Sequence, residues 1–299
     1  MDFNIFTGLV KDEVEKRVGR NYTVRIETIR KNNGVTLCGL FILSADSNIY
    51  PTVYLNRFYE QFQRKAVTLK MVVDEVMDIY EKNDIRQNLD ISQFLDYETV
   101  KNRIVFKLIN TEKNKELLKN IPYVQFLDLS IVFQYLLSDE NIGNATILIN
   151  NEHLRIWGKS VEEIQQTAQY NTPILNPYEI VPLNDIIRGF MQKDEDDIKN
   201  EVSDIIQLYV LSNKSKIYGA ACMLYPKAVQ DFANKVDSDL FILPSSVHEV
   251  LLLPVYGTNG AEEIKQMIQE INDTQVDPEE VLSYSVYFFD KKAEVIVML

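Results

Sequence analysis

Residues 241–254 read FILPSSVHEVLLLP, two short apolar runs separated by a polar stretch. Apolar runs of this length, bounded by turn residues, favour β-strands. The polar connection through Ser245 and Ser246 is too short for a parallel crossover, so the two strands must be antiparallel neighbours. The stretch therefore predicts a strand pair, LFILP followed by HEVLLLPV.

The last third of the chain repeats an arrangement of two strands followed by one helix. IIQLYVL (205–211) and IYGAACMLY (217–225) are predicted to pair around residues 213–216, and SYSVYFF (283–289) is predicted to pair with AEVIVML (293–299). Because short connections join antiparallel neighbours, we expect an α+β fold. Its sheets should be mostly antiparallel and built from repeated strand-strand-helix units, with helices on one face.

The segments between these strand pairs carry apolar side chains at helical spacing. Pro226 stands at a favourable first helical position. The residues that share a helix face are Val229, Phe232, Ala233 and Val236 in the first segment, and Ile264, Met267, Ile268 and Ile271 in the second. Each stripe predicts a helix that packs on the sheet, and residues 203–299 form the predicted C-terminal unit.

The first 85 residues predict a unit of their own. Helical spacing over residues 5–18 and 68–81 indicates two helices. Between them, Asn32-Asn33-Gly34 separates two strand-like runs, and Asn-Gly accepts the positive φ angles of a tight hairpin turn. The unit 1–85 is therefore predicted to contain a helix, a hairpin, a further strand and a second helix.

Residues 103–190 predict a middle α+β unit. YVQFLDLSIVFQYLL (123–137) has the Tyr, Val and Phe content of a long strand. Ser160 and Glu163 have the spacing of a capping box, which predicts a helix start. We expect the prolines that follow to mark a bent, mostly extended connection, and they are Pro173, Pro177 and Pro182.

Charge and composition exclude several classes of function. Hydrophobic residues make up 46% of the 299 residues, which is enough for an ordinary globular core, and the formal net charge is −13. That charge repels nucleic acid phosphates and anionic membranes, so neither is an expected partner. A weaker alternative is an acidic mimic of DNA, but the densest acidic cluster, Asp194–Asp197, resembles a solvated helix start or linker.

Cysteine content and the N-terminus predict a cytoplasmic protein. Cys38 and Cys222 are too few for a disulfide framework or a zinc site and suit a reducing compartment. The N-terminal residues have acids where a signal peptide needs basic residues, and the chain has no apolar run of membrane-spanning length. Since neither glycine-rich phosphate motif is present, we expect no nucleotide cofactor.

The candidate catalytic residues are Ser245, Ser246, His248 and Glu249, because serine, imidazole and carboxylate are the components of acyl-transfer catalysis. On a strand, however, Ser246 and His248 point to one face and Glu249 to the other, so a turn between them is required. The alternative interpretation is a tight turn whose serine hydroxyls bond backbone groups. His153, the other histidine, is too distant in sequence to predict a metal site.

The aromatic content suggests a partner surface. The chain has 16 tyrosines and 14 phenylalanines, and some of Tyr50, Tyr54, Phe58, Tyr59 and Phe62 are expected to be exposed. Together with the incomplete catalytic set, this predicts a non-catalytic protein-binding or accessory protein whose partner is another protein. The alternative is a hydrolase that uses His248 with Ser245 or Ser246.

Several segments resemble a known family, and the resemblance spans nearly the whole chain. They are KNNGVTLCGL (31–40), PTVYLNRFYE (51–60), IPYVQFLDLSIVFQYLL (121–137), NEHLRIWGKSVEEIQQTAQYNTP (151–173), YGAACMLYP (218–226) and FILPSSVHEVLLLP (241–254). Together they resemble the uncharacterised family labelled domain of unknown function five-six-eight-eight, from gut-dwelling, Clostridia-like bacteria. The resemblance implies a cytoplasmic bacterial protein and assigns a catalytic role to no residue.

Overall fold

The computed structural model describes residues 1–45, 47, 50–83, 94–139, 143–190, 208–255 and 261–299. In this part of the chain the strands form three sheets, and every described strand pairing is antiparallel. The predicted α+β class with antiparallel sheets is therefore confirmed. The acidic cluster at residues 194–197 lies outside the described residues.

The chain divides into two compact units. The N-terminal unit comprises Met1–Gln93 with Ser138–Gly143, and the C-terminal unit comprises Phe94–Leu137 with Asn144–Leu299. Residues 103–137, 144–190 and 208–299, which were predicted to belong to two different units, thus lie in one. Within the described ranges, no helix has both the length and the apolar content that crossing a membrane requires.

The N-terminal unit packs helices on a three-stranded sheet of order β1-β2-β3. The predicted hairpin is confirmed, and Asn33 and Gly34 have φ angles of 58° and 70°. Because the strand register ends at Arg30 opposite Thr36, the loop has five residues rather than two. The elements are α1 (Phe3–Val18), β1 (Tyr22–Arg30), β2 (Thr36–Ser44), β3 (Thr52–Tyr54), α2 (Asn56–Gln63) and α3 (Leu69–Asn83).

None of the five aromatic residues from Tyr50 to Phe62 is exposed, and Phe58, Tyr59 and Phe62 belong to the core of this unit, so the expectation of an exposed tyrosine-rich patch there is wrong. Phe58 is buried, and Tyr59 and Phe62 are half-buried against Phe6 on α1, with ring centroids 5.4 and 5.2 Å from that of Phe6. Tyr50 and Tyr54 are also half-buried. Packing of the Tyr59 and Phe62 rings against an apolar helix face contributes to the core instead of to a partner surface.

A four-stranded sheet begins the C-terminal unit, with β5 and β4 on either side of β6 and β7 also paired with β6. The single strand predicted at residues 123–137 is wrong, because the chain reverses at Leu127 and Asp128. Leu127 has a φ angle of 54°, and Phe126 pairs with Leu129. The strands are β4 (Ile104–Asn110), β5 (Tyr123–Phe126), β6 (Leu129–Asp139) and β7 (Gly143–Leu148).

Local capping signals fix the start of two helices of this unit. The predicted capping box of Ser160 and Glu163 is confirmed, and a second box joins Asn150 to His153, whose Nδ1 accepts the Asn150 N–H over 3.1 Å. Pro173 lies inside a helix rather than in an extended connection, because Thr172 binds the Phe106 N–H and holds this turn against β4. The helices are α4 (Tyr97–Val100), α5 (Lys115–Leu118), α6 (Asn151–Trp157) and α7 (Val161–Leu175).

The largest sheet has six strands in the order β13-β12-β10-β11-β9-β8. Two of the predicted pairs are confirmed: Leu243 pairs with Leu251, and Phe288 pairs with Val297. The remaining elements are β8 (Tyr178–Pro182), α8 (Leu183–Phe190), β9 (Tyr209–Asn213), α9 (Ala228–Val236), β10 (Leu240–Leu243), β11 (Val250–Pro254), α10 (Ala261–Gln275), β12 (Tyr287–Asp290) and β13 (Val295–Met298).

Two predictions near residue 220 are wrong. Residues Gly219–Leu224 form a 3-10 helix instead of a strand, and β9 pairs with β8 and β11. Pro226 is not the first helical residue, since α9 begins at Ala228 after Lys227, whose φ angle is 66°.

Helices pack on both faces of the six-stranded sheet, which differs from the one-face arrangement expected. Leu240 and Ile242 of β10 belong to a core that includes Phe232 of α9. Phe241 and Leu243 belong to a second core with Ile264 of α10. Successive strand residues point to opposite faces, so a strand buried at all four positions must be covered on both sides.

Candidate functional site

The candidate catalytic residues lie in the connection between β10 and β11. Three backbone hydrogen bonds fix this connection to residues 280–283: Val247 N–H donates to the Glu280 carbonyl over 2.8 Å, and Leu282 and Ser283 N–H donate to the Ser245 and Pro244 carbonyls, each over 2.9 Å. The connection is thus held like a short antiparallel strand pair, and Ser246 is paired with Val281. Both serines are buried, with 5% of Ser245 and 4% of Ser246 exposed.

Ser246 organises a tight turn. Its Oγ accepts the backbone N–H of His248 over 3.0 Å and that of Glu249 over 3.3 Å. The same hydroxyl donates to Glu249 Oε1 over 2.8 Å. The chain therefore turns between Ser246 and Glu249, and the hydroxyl satisfies backbone groups in the manner of a serine turn.

His248 has both ring nitrogens engaged. The Tyr218 N–H donates to Nδ1 over 3.2 Å, and Nε2 lies 3.2 Å from Glu280 Oε1. Because Nδ1 is an acceptor, the proton of the neutral ring is on Nε2 and is donated to the Glu280 carboxylate. The Tyr218 ring stacks on the imidazole, with 5.7 Å between centroids and 15° between planes. Glu280 was missed by sequence reasoning, since it lies 32 residues further along the chain.

This geometry does not assemble a nucleophile and its base. General-base activation of a serine requires an imidazole nitrogen within hydrogen-bonding distance of Oγ. Here the two nitrogens of His248 face Tyr218 and Glu280, while Ser246 Oγ faces Glu249 and the backbone. The structure therefore joins Ser246 to Glu249 and, separately, His248 to Glu280.

The backbone at Gly219 lies close to Ser212 and His248. This contact positions Tyr218, whose N–H donates to the His248 ring. Ser212 Oγ donates to the His248 carbonyl over 2.7 Å, and the 3-10 helix begins beside this bond at Gly219. A Cβ at Gly219 would collide with Ser212 Oγ and would lie 2.5 Å from the His248 carbonyl oxygen. Asn213 fixes the preceding loop by donating to the Ile217 carbonyl over 2.7 Å. Glycine is therefore required for Tyr218 to reach His248.

A second polar cluster surrounds Asp128 at the β5-β6 turn. Its carboxylate accepts hydrogen bonds from Ser283 Oγ over 2.5 Å, from Ser285 Oγ over 3.1 Å and from the Tyr287 hydroxyl. Burial and the negative charge of Asp128 raise the pKa of Tyr287 well above its ordinary value. Tyr287 thus remains a hydrogen-bond donor. The cluster fastens residues 283–287 to the hairpin turn.

An open cleft of about 580 Å³ lies between α9, the 3-10 helix and the β13 end of the six-stranded sheet. Its apolar lining includes Phe126, Val229, Phe289 and Ile296, and its polar lining includes Lys227, Gln230, Asp231 and Glu294. Gln230 Oε1 is buried there without a hydrogen-bond partner among the described residues. No sequence motif predicted this cleft.

Within the described ranges, no group of three His, Cys, Asp or Glu residues is placed to hold a metal ion. Cys222 is buried, and that burial raises its thiol pKa to about 12. At neutral pH this cysteine therefore stays a protonated thiol, a poor nucleophile.

Comparison with known proteins assigns the chain to a family without an established activity. Residues 3–291 match a family of unknown function, DUF5688. No curated protein and no solved structure matches the chain. Because the match covers nearly the whole sequence, the chain belongs to DUF5688.

Proposed function

We propose that this protein is a non-catalytic binding protein of the bacterial cytoplasm whose ligand is another protein. The proposal is supported by the hydrogen bonds of Ser246, which form a turn with His248 and Glu249, and by the separate contact of the His248 ring with Glu280. The presence of only two cysteines, both free thiols, supports the cytoplasm as its compartment.

The observation that carries the proposal is the apolar edge strand β13. This strand ends the six-stranded sheet and has a strand partner on one side alone within the described structure. Its side chains Val295, Val297 and Met298 are 44%, 40% and 49% exposed. Proteins normally protect such edges with lysine, proline, a bulge or a covering element. The sequence VIVM carries no lysine or proline, so a protein partner is the expected cover.

A site-specific crosslinking experiment tests this function. We expect a photoreactive benzoylphenylalanine at position 297 to capture a partner in the native cell. The matched control places the same group at Ile174, which is 61% exposed on α7 of the same unit. Val297→Lys should prevent partner binding, since a charge on an edge strand opposes strand pairing, whereas Ile174→Lys should not. Equal capture from both positions, or none from position 297, contradicts the proposal.

The hydrolase alternative keeps one supporting contact, the 2.8 Å bond between Ser246 Oγ and Glu249. A carboxylate is a weaker base for serine than imidazole, and the hydroxyl is almost fully buried. An esterase and peptidase screen with His248→Ala as the control distinguishes this alternative. Turnover that depends on His248 would favour it over the binding function.

The acidic DNA-mimic alternative has less support. On the described helices, acidic residues alternate with lysines and form ion pairs with them, for example Glu13 with Lys16 and Asp78 with Lys82. Mixed charge of this kind differs from the continuous row of carboxylates that a mimic of duplex phosphates requires.

A further inference from the structure

We propose that β13 and the adjoining cleft bind an extended peptide segment that presents a Lys or Arg side chain. The inference rests on the protein-binding function proposed above and specifies the chemistry of the partner. It combines two features that meet in the same residues, because Val295 and Ile296 belong both to the edge strand and to the lining of the cleft, and Glu294, which also lines the cleft, directly precedes the strand.

The edge supplies main-chain recognition. An extended segment can add to an exposed sheet edge by forming backbone hydrogen bonds, while pockets beside that edge select alternate side chains. The outer edge of β13 has no strand neighbour in the described structure. Ile296 pairs with Phe289 across the sheet, and both residues line the cleft. A segment added to β13 therefore directs every second side chain toward the cleft.

The cleft supplies an excess of hydrogen-bond acceptors. Two exposed carboxylates, Asp231 and Glu294, line the cleft. Among the described residues of the same lining, Lys227 is the one cationic side chain, so carboxylates outnumber ammonium groups there. Gln230 Oε1 adds a buried acceptor that lacks a partner among the described residues. Leaving a buried acceptor unsatisfied costs free energy, and a ligand donor would recover it when the Gln230 side chain turns its amide oxygen toward the cleft. Lys and Arg side chains carry donors and no acceptor, and thus match this set.

The apolar part of the cleft suits the stem of the same side chains. Val229, Phe289 and Ile296 provide aliphatic and aromatic surface below the polar groups. Lys and Arg pack their methylene groups on apolar surface and keep the charged end among polar groups. A long basic side chain therefore fits the cleft better than a short or acidic one.

A second copy of this chain is a poorer occupant. Each copy carries a formal net charge of −13, so two copies repel one another at long range. In addition, an antiparallel β13-β13 pair would offer the residues VIVM, which contain no cation for the carboxylates of the cleft. Charge complementarity therefore favours a basic segment of a different protein.

Selection from a random twelve-residue peptide library displayed on phage tests the inference on the full chain. We expect enriched sequences to contain a Lys or Arg flanked by β-branched residues at alternate positions. Replacing that Lys or Arg with Glu in the best peptide should weaken binding at least about tenfold, a change readily measured by fluorescence anisotropy. Enrichment of acidic, proline-rich or helix-patterned sequences overturns the proposal. The proposal is also overturned when the original protein enriches no more peptides than the Val297→Lys variant does.

Backbone methylation of the selected peptide separates strand addition from simple pocket binding. Methylating alternate N–H groups on the side that pairs with β13 should abolish binding, while methylating the intervening ones should leave it within about twofold. Equal effects from the two methylation patterns would exclude strand addition.

Two cleft variants test the side-chain part of the site. Gln230→Leu and Glu294→Gln should each reduce the preference for the basic peptide over its Glu counterpart. Circular dichroism and thermal unfolding check that the variants are folded. An unchanged preference in both variants overturns the assignment of the cleft. If crosslinking at position 297 captures a partner but no basic peptide binds, this inference fails and the protein-binding function stands.

Discussion

The backbone N–H of Tyr218 donates to Nδ1 of His248 over 3.2 Å, and the two rings stack with 15° between their planes. This contact joins the 3-10 helix to the β10-β11 connection. It also occupies the ring nitrogen that a catalytic imidazole would use to accept a proton. The histidine nearest to a serine and a carboxylate in sequence is thereby part of the framework of the C-terminal unit.

His248→Ala should lower the free energy of unfolding by about 1–2 kcal/mol, because it removes the acceptor of the Tyr218 N–H and the stacked ring. Urea denaturation followed by tyrosine fluorescence measures the change. Lys292→Ala, at an exposed lysine, serves as a control and should alter stability by less than about 0.5 kcal/mol. An unchanged stability of His248→Ala would contradict the structural role.

Gly219→Ala should be strongly destabilising, by about 3 kcal/mol or more, since the added Cβ would lie 2.5 Å from the His248 carbonyl and 2.6 Å from the Asn213 nitrogen. Backbone atoms on two sides leave little room to adjust. Gly8→Ala is the matched control, because nothing lies within 4 Å of its Cβ and alanine favours the helix α1. It should raise stability by about 0.5–1 kcal/mol. Similar effects of the two changes on the melting temperature would refute the close-contact argument.

Asp128→Asn should cost about 2–4 kcal/mol, because hydrogen bonds from three hydroxyl groups to a charged acceptor are weakened together. Tyr287→Phe removes one of those bonds with almost no change in volume, so it should cost less, about 1.5–3 kcal/mol. Denaturant titrations of both variants give the comparison. A larger loss for Tyr287→Phe than for Asp128→Asn would show that the carboxylate is not the centre of the cluster.

The stability of the fold should depend on the titration of His153. Burial holds the pKa of this imidazole below its ordinary value of 6.5, so the unfolded chain binds the proton first as the pH falls. The free energy of unfolding should therefore decrease as the pH drops through about 6.5, and this contribution should level off below the folded-state pKa.

His153→Gln isolates that contribution. Glutamine at this helix position retains an acceptor for the Asn150 N–H, as in a capping box, but does not titrate. The loss of stability between pH 7.5 and pH 5 should be smaller in the variant than in the original protein. A larger or equal loss would contradict the assigned direction of the pKa shift.

Local patterns predicted much of the fold. Helical spacing placed Phe6, Val10 and Val14 on the buried face of α1, and the capping box of Ser160 and Glu163 begins α7 as expected. Each of these signals depends on residues three or four positions apart, whose contacts form within one helical turn whatever the rest of the chain does.

Other elements were mistaken because local preference was overridden. Leu127 takes a positive φ angle without being glycine or asparagine, so no turn signal marked the reversal between β5 and β6. The full burial of β10 could have been read from its unbroken apolar run LFIL, a pattern typical of strands covered on both faces. The 3-10 helix at residues 219–224 has the apolar composition of a strand, yet the contact of Gly219 with Ser212 and His248 determines its course.

The sequence by itself determined most of the element types, the antiparallel pairing of β10 with β11 and of β12 with β13, and the turn made by Ser246, since these depend on groups close along the chain. Only the tertiary structure decided that His248 meets Glu280 and Tyr218, that Asp128 binds residues 283–287, and that β13 ends the sheet beside an acceptor-rich cleft. Those contacts join residues about 30 to 160 positions apart and depend on how the strands order within the sheet. That order is selected by the packing of the whole core, which no short pattern encodes.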